Sequence, residues 1–177
     1  MMTYVHVTSV LAAATLLTFV SNAQAQSLPP GGELHVTFTA TQEPAVKPMT
    51  IGDGTQYVQI NLIMLAVNDQ GNPILNNMGG RCQLTRLIEG GKPTEQHGYC
   101  TYSDADNDQI FEKCDVARGQ ALPAGATNMC ELTGGTGKFQ GLQASVAITS
   151  IPVKSTYEGA LQIIGHKNGT YKIVKTN

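Results

Sequence analysis

The sequence predicts an all-β domain of about eight antiparallel strands with little helix beyond its first segment, and three observations point there. Polar and apolar residues alternate with a period of two, most clearly in Leu34-His35-Val36-Thr37-Phe38-Thr39-Ala40-Thr41. Outside the first segment no window repeats apolar residues at i, i+3, i+4 and i+7 over the length of a helix. The 177 residues include 19 Gly and 8 Pro, and only 14% are charged against roughly 25% in an average globular protein. That composition disfavours helix bundles, coiled coils and disordered acidic chains. The net charge of −2, without any local cluster of Lys and Arg, leaves no electrostatic footprint for nucleic acid.

In chain order, residues 5–20 form an apolar run followed by Ser21, Asn22 and Ala23-Gln24-Ala25. This is the h-region and small-residue cleavage pattern of a secretory signal, although no Lys or Arg precedes the run. It is shorter than the ~20 residues that span a bilayer, so no membrane span is expected after cleavage behind Ala25. Residues 1–25 are therefore read as a signal peptide, 26–33 as a flexible leader through Pro29-Pro30-Gly31-Gly32, and 34–177 as one domain. Such a protein is periplasmic or secreted.

The first strand is expected at 34–41, followed by a loop over 42–54 that carries two Pro and two Gly. A longer strand at 57–67 places Val58, Ile60, Leu62 and Met64 on one wholly apolar face, whereas Ile63 and Leu65 interrupt the polar one. Asp69-Gln70-Gly71-Asn72-Pro73 is a turn signal. Further strands are expected at 81–88, 98–103, 110–115, 127–132, 143–151 and 156–165. Glu89-Gly90-Gly91-Lys92-Pro93 and Leu122-Pro123-Ala124-Gly125 supply turn chemistry between them. Strands linked in this way form an antiparallel sandwich or an up-and-down barrel, which bury one face of each strand and manage the edges.

Cys82, Cys100, Cys114 and Cys130 are an even number of cysteines in a chain that carries an export signal, so two disulfides are expected. Of the three connectivities, 82–100 with 114–130 is favoured because each pair joins neighbouring segments. Each then closes a loop of about 16 to 18 residues, worth roughly 3 kcal/mol in the chain-entropy model. A thiolate metal site is disfavoured by the absence of C-x2-C spacing.

The segment Leu132-Thr133-Gly134-Gly135-Thr136-Gly137-Lys138-Phe139-Gln140-Gly141 resembles the glycine-rich turn of plant dirigent proteins and allene oxide cyclases. Small exported bacterial proteins with the same barrel are closer still. The resemblance spans residues 130–165 in motif and implies a single antiparallel up-and-down β-barrel of about eight strands. Residues 143–151 would be the small-residue strand after the turn. It also implies cyclisation or isomerisation of a reactive intermediate, with no catalytic residue carried over because those strands do not align. On physical grounds the three glycines allow positive φ and close backbone approach, and Phe139 can plug one barrel end. A phosphate-binding loop would need Gly at 132 and Ser or Thr at 139, where this chain has Leu132 and Phe139.

Asp104, Asp106 and Asp108 occupy positions 1, 3 and 5 of a calcium-type loop with Glu112 at position 9, a weak Ca²⁺ site. Gln109 and Asp115 stand where that loop requires Gly and Glu, and a plain hairpin turn explains the same residues. His35, His97 and His166 lie far apart without metal-binding spacing, and neither HExxH nor G-x-S-x-G occurs, so recognisable hydrolase motifs are absent. The barrel interior remains. Arg86 shares strand parity with Cys82, Leu84 and Ile88, so an inward apolar face carries a guanidinium into the barrel, where it needs a carboxylate or an anionic ligand. Tyr57, Tyr99, Tyr102 and Tyr157 are the candidate aromatic partners of a small molecule there. The expected function is binding of a small, partly apolar ligand inside the barrel. The rivals are a cyclase or isomerase-like enzyme in the same pocket, and an interaction module with a filled interior.

Overall fold

The computed structural model describes residues 28–43, 47–117, 128–155 and 160–175, so the expected signal peptide and Tyr157 lie outside the described residues. Nine strands follow one another: β1 Gly31–Gln42, β2 Met49–Thr50, β3 Gln56–Asn68, β4 Met78–Glu89, β5 Lys92–Ser103, β6 Gln109–Val116, β7 Asn128–Gly135, β8 Leu142–Val153 and β9 Leu161–Ile173. The only helical geometry among the described residues is the 3-10 turn Gly137–Phe139. Neighbouring strands pair antiparallel in the order β1-β9-β8-β7-β6-β5-β4-β3. β1 also pairs with β3, from Val36 opposite Asn68 to Gln42 opposite Leu62, which closes the sheet. The fold is an eight-stranded up-and-down barrel with the short β2 added beside β3, and closure removes the sandwich alternative.

The period of two decides what lies inside. Leu34, Val36, Phe38 and Ala40 of β1 are buried, as are Val58, Ile60, Leu62, Met64 and Ala66 of β3, while their neighbours face outward. The β4–β5 hairpin turns through Gly90 and Gly91, both at positive φ, as a two-residue loop of the primed type requires. Cys82 stands directly opposite Cys100 in that hairpin, and Cys114 opposite Cys130 across β6 and β7. Both favoured disulfides are formed, 82–100 and 114–130. Each pins a strand register, and a register slip would turn an entire face inside out.

One end of the barrel is sealed. The β3–β4 connection carries Ile74 and Leu75, both fully buried, into the core cluster. Asn68 holds that connection: its Nδ2 donates to the Ile74 carbonyl (2.9 Å) and its Oδ1 accepts from the amides of Gln70 and Asn72. Phe139, also fully buried, comes from the glycine-rich turn at the same end. A Cβ at Gly135 would collide with the Gln109 carbonyl and stand 2.6 Å from Phe139 Cβ, so this turn needs glycine for close approach.

Strand boundaries differ from expectation most at three places, one of them the start of β5, which is Lys92 rather than Gly98. Gly31 and Gly32, read as leader, pair with Lys172 and Tyr171 of β9, and the missing side chain of Gly32 admits the Tyr171 ring. The last strand was expected at 156–165 but runs from Leu161 to Ile173, where Gly165, Lys167 and Gly169 obscure the apolar alternation.

Candidate functional site

The deepest polar group of the interior is an ion pair that the linear pattern conceals. Glu112 lies on the inward parity of β6 between Ile110 and Cys114, and Lys167 on the inward parity of β9 between Gly165 and Gly169. Their side chains are 0% and 1% exposed, and Lys167 Nζ donates to both Glu112 oxygens. Nζ also donates to the Tyr102 hydroxyl (3.0 Å), which in turn donates to Glu112 Oε2 (2.8 Å). The rings of Tyr102 and Phe38 flank the ammonium, with centroids 5.2 Å and 5.4 Å from Nζ. Glycines make room for these rings: a Cβ at Gly80 would strike the Tyr102 ring, and one at Gly165 would lie 2.5 Å from Phe38 Cζ. Burial, reinforced by the Glu112 carboxylate, pushes the Tyr102 hydroxyl well above its ordinary pKa, so it remains a donor.

Above this pair, away from the sealed end, lies a cavity of about 130 Å³. Leu62, Leu84, Ile148 and Ile163 supply apolar wall, both disulfides border it, and Glu112 with Lys167 forms its floor. Arg86, Gln96, Asn128 and Ser150 contribute the polar side near the opposite strand ends. Arg86 therefore stands where its parity with Cys82 and Leu84 places it. Its Nε (2.9 Å) and Nη2 (2.5 Å) both donate to Oε1 of Gln96, the residue directly opposite on β5. Burial lowers the pKa of Arg86, and no carboxylate among the described residues forms an ion pair with it.

The other expected ligand-binding residues are not gathered here. Tyr102 faces inward but is packed beneath the cavity in the ion-pair cluster. Tyr57 and Tyr99 lie on the outward parity of β3 and β5, and Tyr99 is 64% exposed, so neither ring reaches the interior. The four residues of the calcium reading are likewise divided. Lys138 of the glycine-rich turn places its ammonium among the carboxylates of Asp104, Asp106 (2.8 Å) and Asp108 (3.2 Å), while Glu112 is inside the barrel. The Asp104 side chain also accepts the amides of Asp106 and Asp108, which is hairpin-turn chemistry. Among the described residues, one group meets metal-ligand spacing, Glu112 with Cys114 and Cys130, and those two sulfurs are joined to each other.

His35, His97 and His166 are on the outer surface. His97 bonds to Glu95 (2.7 Å) and Asp115 (3.2 Å), and these two carboxylates raise its pKa above the ordinary histidine value. The raised value makes protonated His97 favour the folded state. That contribution is complete below the unfolded pKa and disappears as pH rises through the folded one. NMR titration is expected to show the His97 pKa falling back toward 6.5 in Glu95→Gln, and an unchanged value would discount the pair.

On the outer wall, Ile63 (52% exposed), Leu65 and Val67 of β3, Ile151 of β8 and Ile164 of β9 stay solvent-facing, so the apolar break at 63 and 65 is real surface. Gln96 and Lys167 are the interior residues that sequence reasoning missed. Gln96 was recoverable from its parity with Cys100, whereas Lys167 sits between glycines that give no inward signal.

The fold and this interior define a closed, disulfide-pinned eight-stranded barrel that keeps a charged cluster and a small cavity inside. No family model matches the sequence, and no curated protein or solved structure matches it significantly.

Proposed function

We propose that this barrel is an exported binding protein for a small, partly apolar molecule, held in the cavity between Arg86 and the Glu112–Lys167 pair. The observation that carries this reading is the cavity itself, about 130 Å³ of space with apolar walls and polar groups at two sides. Interiors otherwise close-pack, and this space is comparable to the roughly 150 Å³ that accommodates a molecule as large as benzene. Two disulfides suit an oxidising compartment, and among the described residues no helix is long and apolar enough to cross a membrane. Together with the signal pattern of residues 1–25 they favour export to the periplasm or beyond.

Native mass spectrometry of protein purified from its own host tests the reading. A copurifying small molecule is expected, and it should be lost in Ala40→Leu, which adds bulk to the cavity wall. Apo protein alone, with no thermal shift from benzene-sized probes, would remove the proposal.

A second reading, a cyclase or isomerase, is favoured by one observation: Glu112 and Lys167 both border the cavity. A carboxylate and an ammonium so placed can steer developing charge or move a proton without a strong nucleophile. Turnover of a bound substrate that vanishes in Glu112→Gln, with the variant still folded, would select it.

A further inference from the structure

We infer that the molecule bound in this cavity is a monoanion, a carboxylate on a short apolar body, and that Arg86 receives its charge. This rests on the binding reading above and deepens it. Three charged side chains border the cavity: Arg86, Glu112 and Lys167. Glu112 and Lys167 neutralise one another, with Tyr102 completing their hydrogen bonds. Among the described residues one positive charge is left over.

The local geometry of Arg86 shows how it is left over. Its Nε and Nη2 both donate to a single neutral acceptor, Gln96 Oε1. A guanidinium carries five N–H donors in a fixed fork, so one amide oxygen leaves most of the fork unanswered. A neutral amide also offers only a dipole against a charge that cannot be relinquished. With its oxygen turned to Arg86, Gln96 keeps its Nε2 as a further donor beside the guanidinium. Asn128 and Ser150 border the same cavity and are neutral. Donors and a surplus positive charge therefore converge where a planar anion would complete the fork, and a carboxylate matches that fork with two parallel bonds.

The walls set the remainder of the ligand. Leu62, Leu84, Ile148 and Ile163 offer no partner for a second polar group between Arg86 and the floor. The accessible space of about 130 Å³ suits a benzene-sized or short branched aliphatic body. A second carboxylate set against these apolar walls would have to shed its water without a counter-charge, which disfavours dicarboxylates.

Isothermal titration of the protein with benzoate and isovalerate, against benzamide and isovaleramide as uncharged counterparts, tests the inference. Each acid is expected to bind roughly ten- to a hundredfold more tightly than its amide, the margin of a charge-assisted hydrogen bond over a neutral one. Arg86→Met should abolish that preference and Arg86→Lys should retain part of it. Should the methionine variant fail to fold by circular dichroism, the lysine variant and the salt dependence of the wild-type preference carry the same test. Equal affinity for acid and amide in the wild type, or an undiminished preference without the guanidinium, overturns the anion assignment while the binding reading stands. Failure of all four probes to bind overturns both.

Discussion

Replacing Lys167 with methionine is expected to destabilise the barrel by about 3–5 kcal/mol, because a buried carboxylate is then left without its counter-charge. Glu112 is fully buried, and once the ammonium is gone only the Tyr102 hydroxyl among the described residues still donates to it. Folded domains have only about 5–15 kcal/mol in hand, so the loss takes a large part of the total. Urea denaturation followed by circular dichroism measures it. The double variant Lys167→Met with Glu112→Leu is expected to recover most of the stability, since removing both charges also removes the cost of keeping them out of water. A single variant as stable as the wild type would mean that the pair is not sequestered. A double variant no better than the single one would mean that these charges do more than neutralise each other.

Loss of both disulfides is the second large effect. The bridges close loops of 18 and 16 residues, and the chain-entropy model assigns roughly 3 kcal/mol to each. All four sulfurs border the same cavity, so their removal also disturbs packing, and the two losses are not expected to add simply. Replacing Cys82 and Cys100 by alanine, or Cys114 and Cys130, should each lower the urea midpoint clearly, and replacing all four should leave a marginal fold. Equal midpoints for oxidised and fully reduced wild-type protein would show that hairpin pairing alone holds these registers. Since each bridge joins residues directly opposite one another, the more sensitive readout is hydrogen exchange in β4–β5 and β6–β7, where protection should fall first.

How far the site was legible depends on how local its signals are. Arg86 could be placed because Cys82 and Leu84 precede it at even spacing on one strand, and the strand delivered it to the cavity. Glu112 carried the same signal through Ile110, Cys114 and Val116, but its position behind the aspartates drew it toward a cation loop. The aspartates instead meet Lys138, about 30 positions onward, where the glycine-rich turn folds back over them. Tyr57 and Tyr99 suggested ring contacts by residue type, and parity sent them outward. Lys167 had no local signal, since its inward neighbours are glycines and its partner lies 55 residues away.

The sequence by itself determined the class of the fold, the approximate number of strands, which face of most strands is apolar, and the cysteine pairs that lie close along the chain. Those are properties of neighbours: alternation, turn glycines and short loops act within a few residues, and the physics that reads them is equally short in range. The tertiary structure alone decided that β1 and β3 meet to close the ring, that Lys167 faces Glu112, and that Arg86 meets the Gln96 amide. The cost of a charge inside a protein depends on what stands across from it in space, and in a closed sheet that partner is chosen by the registers of strands distant in the chain.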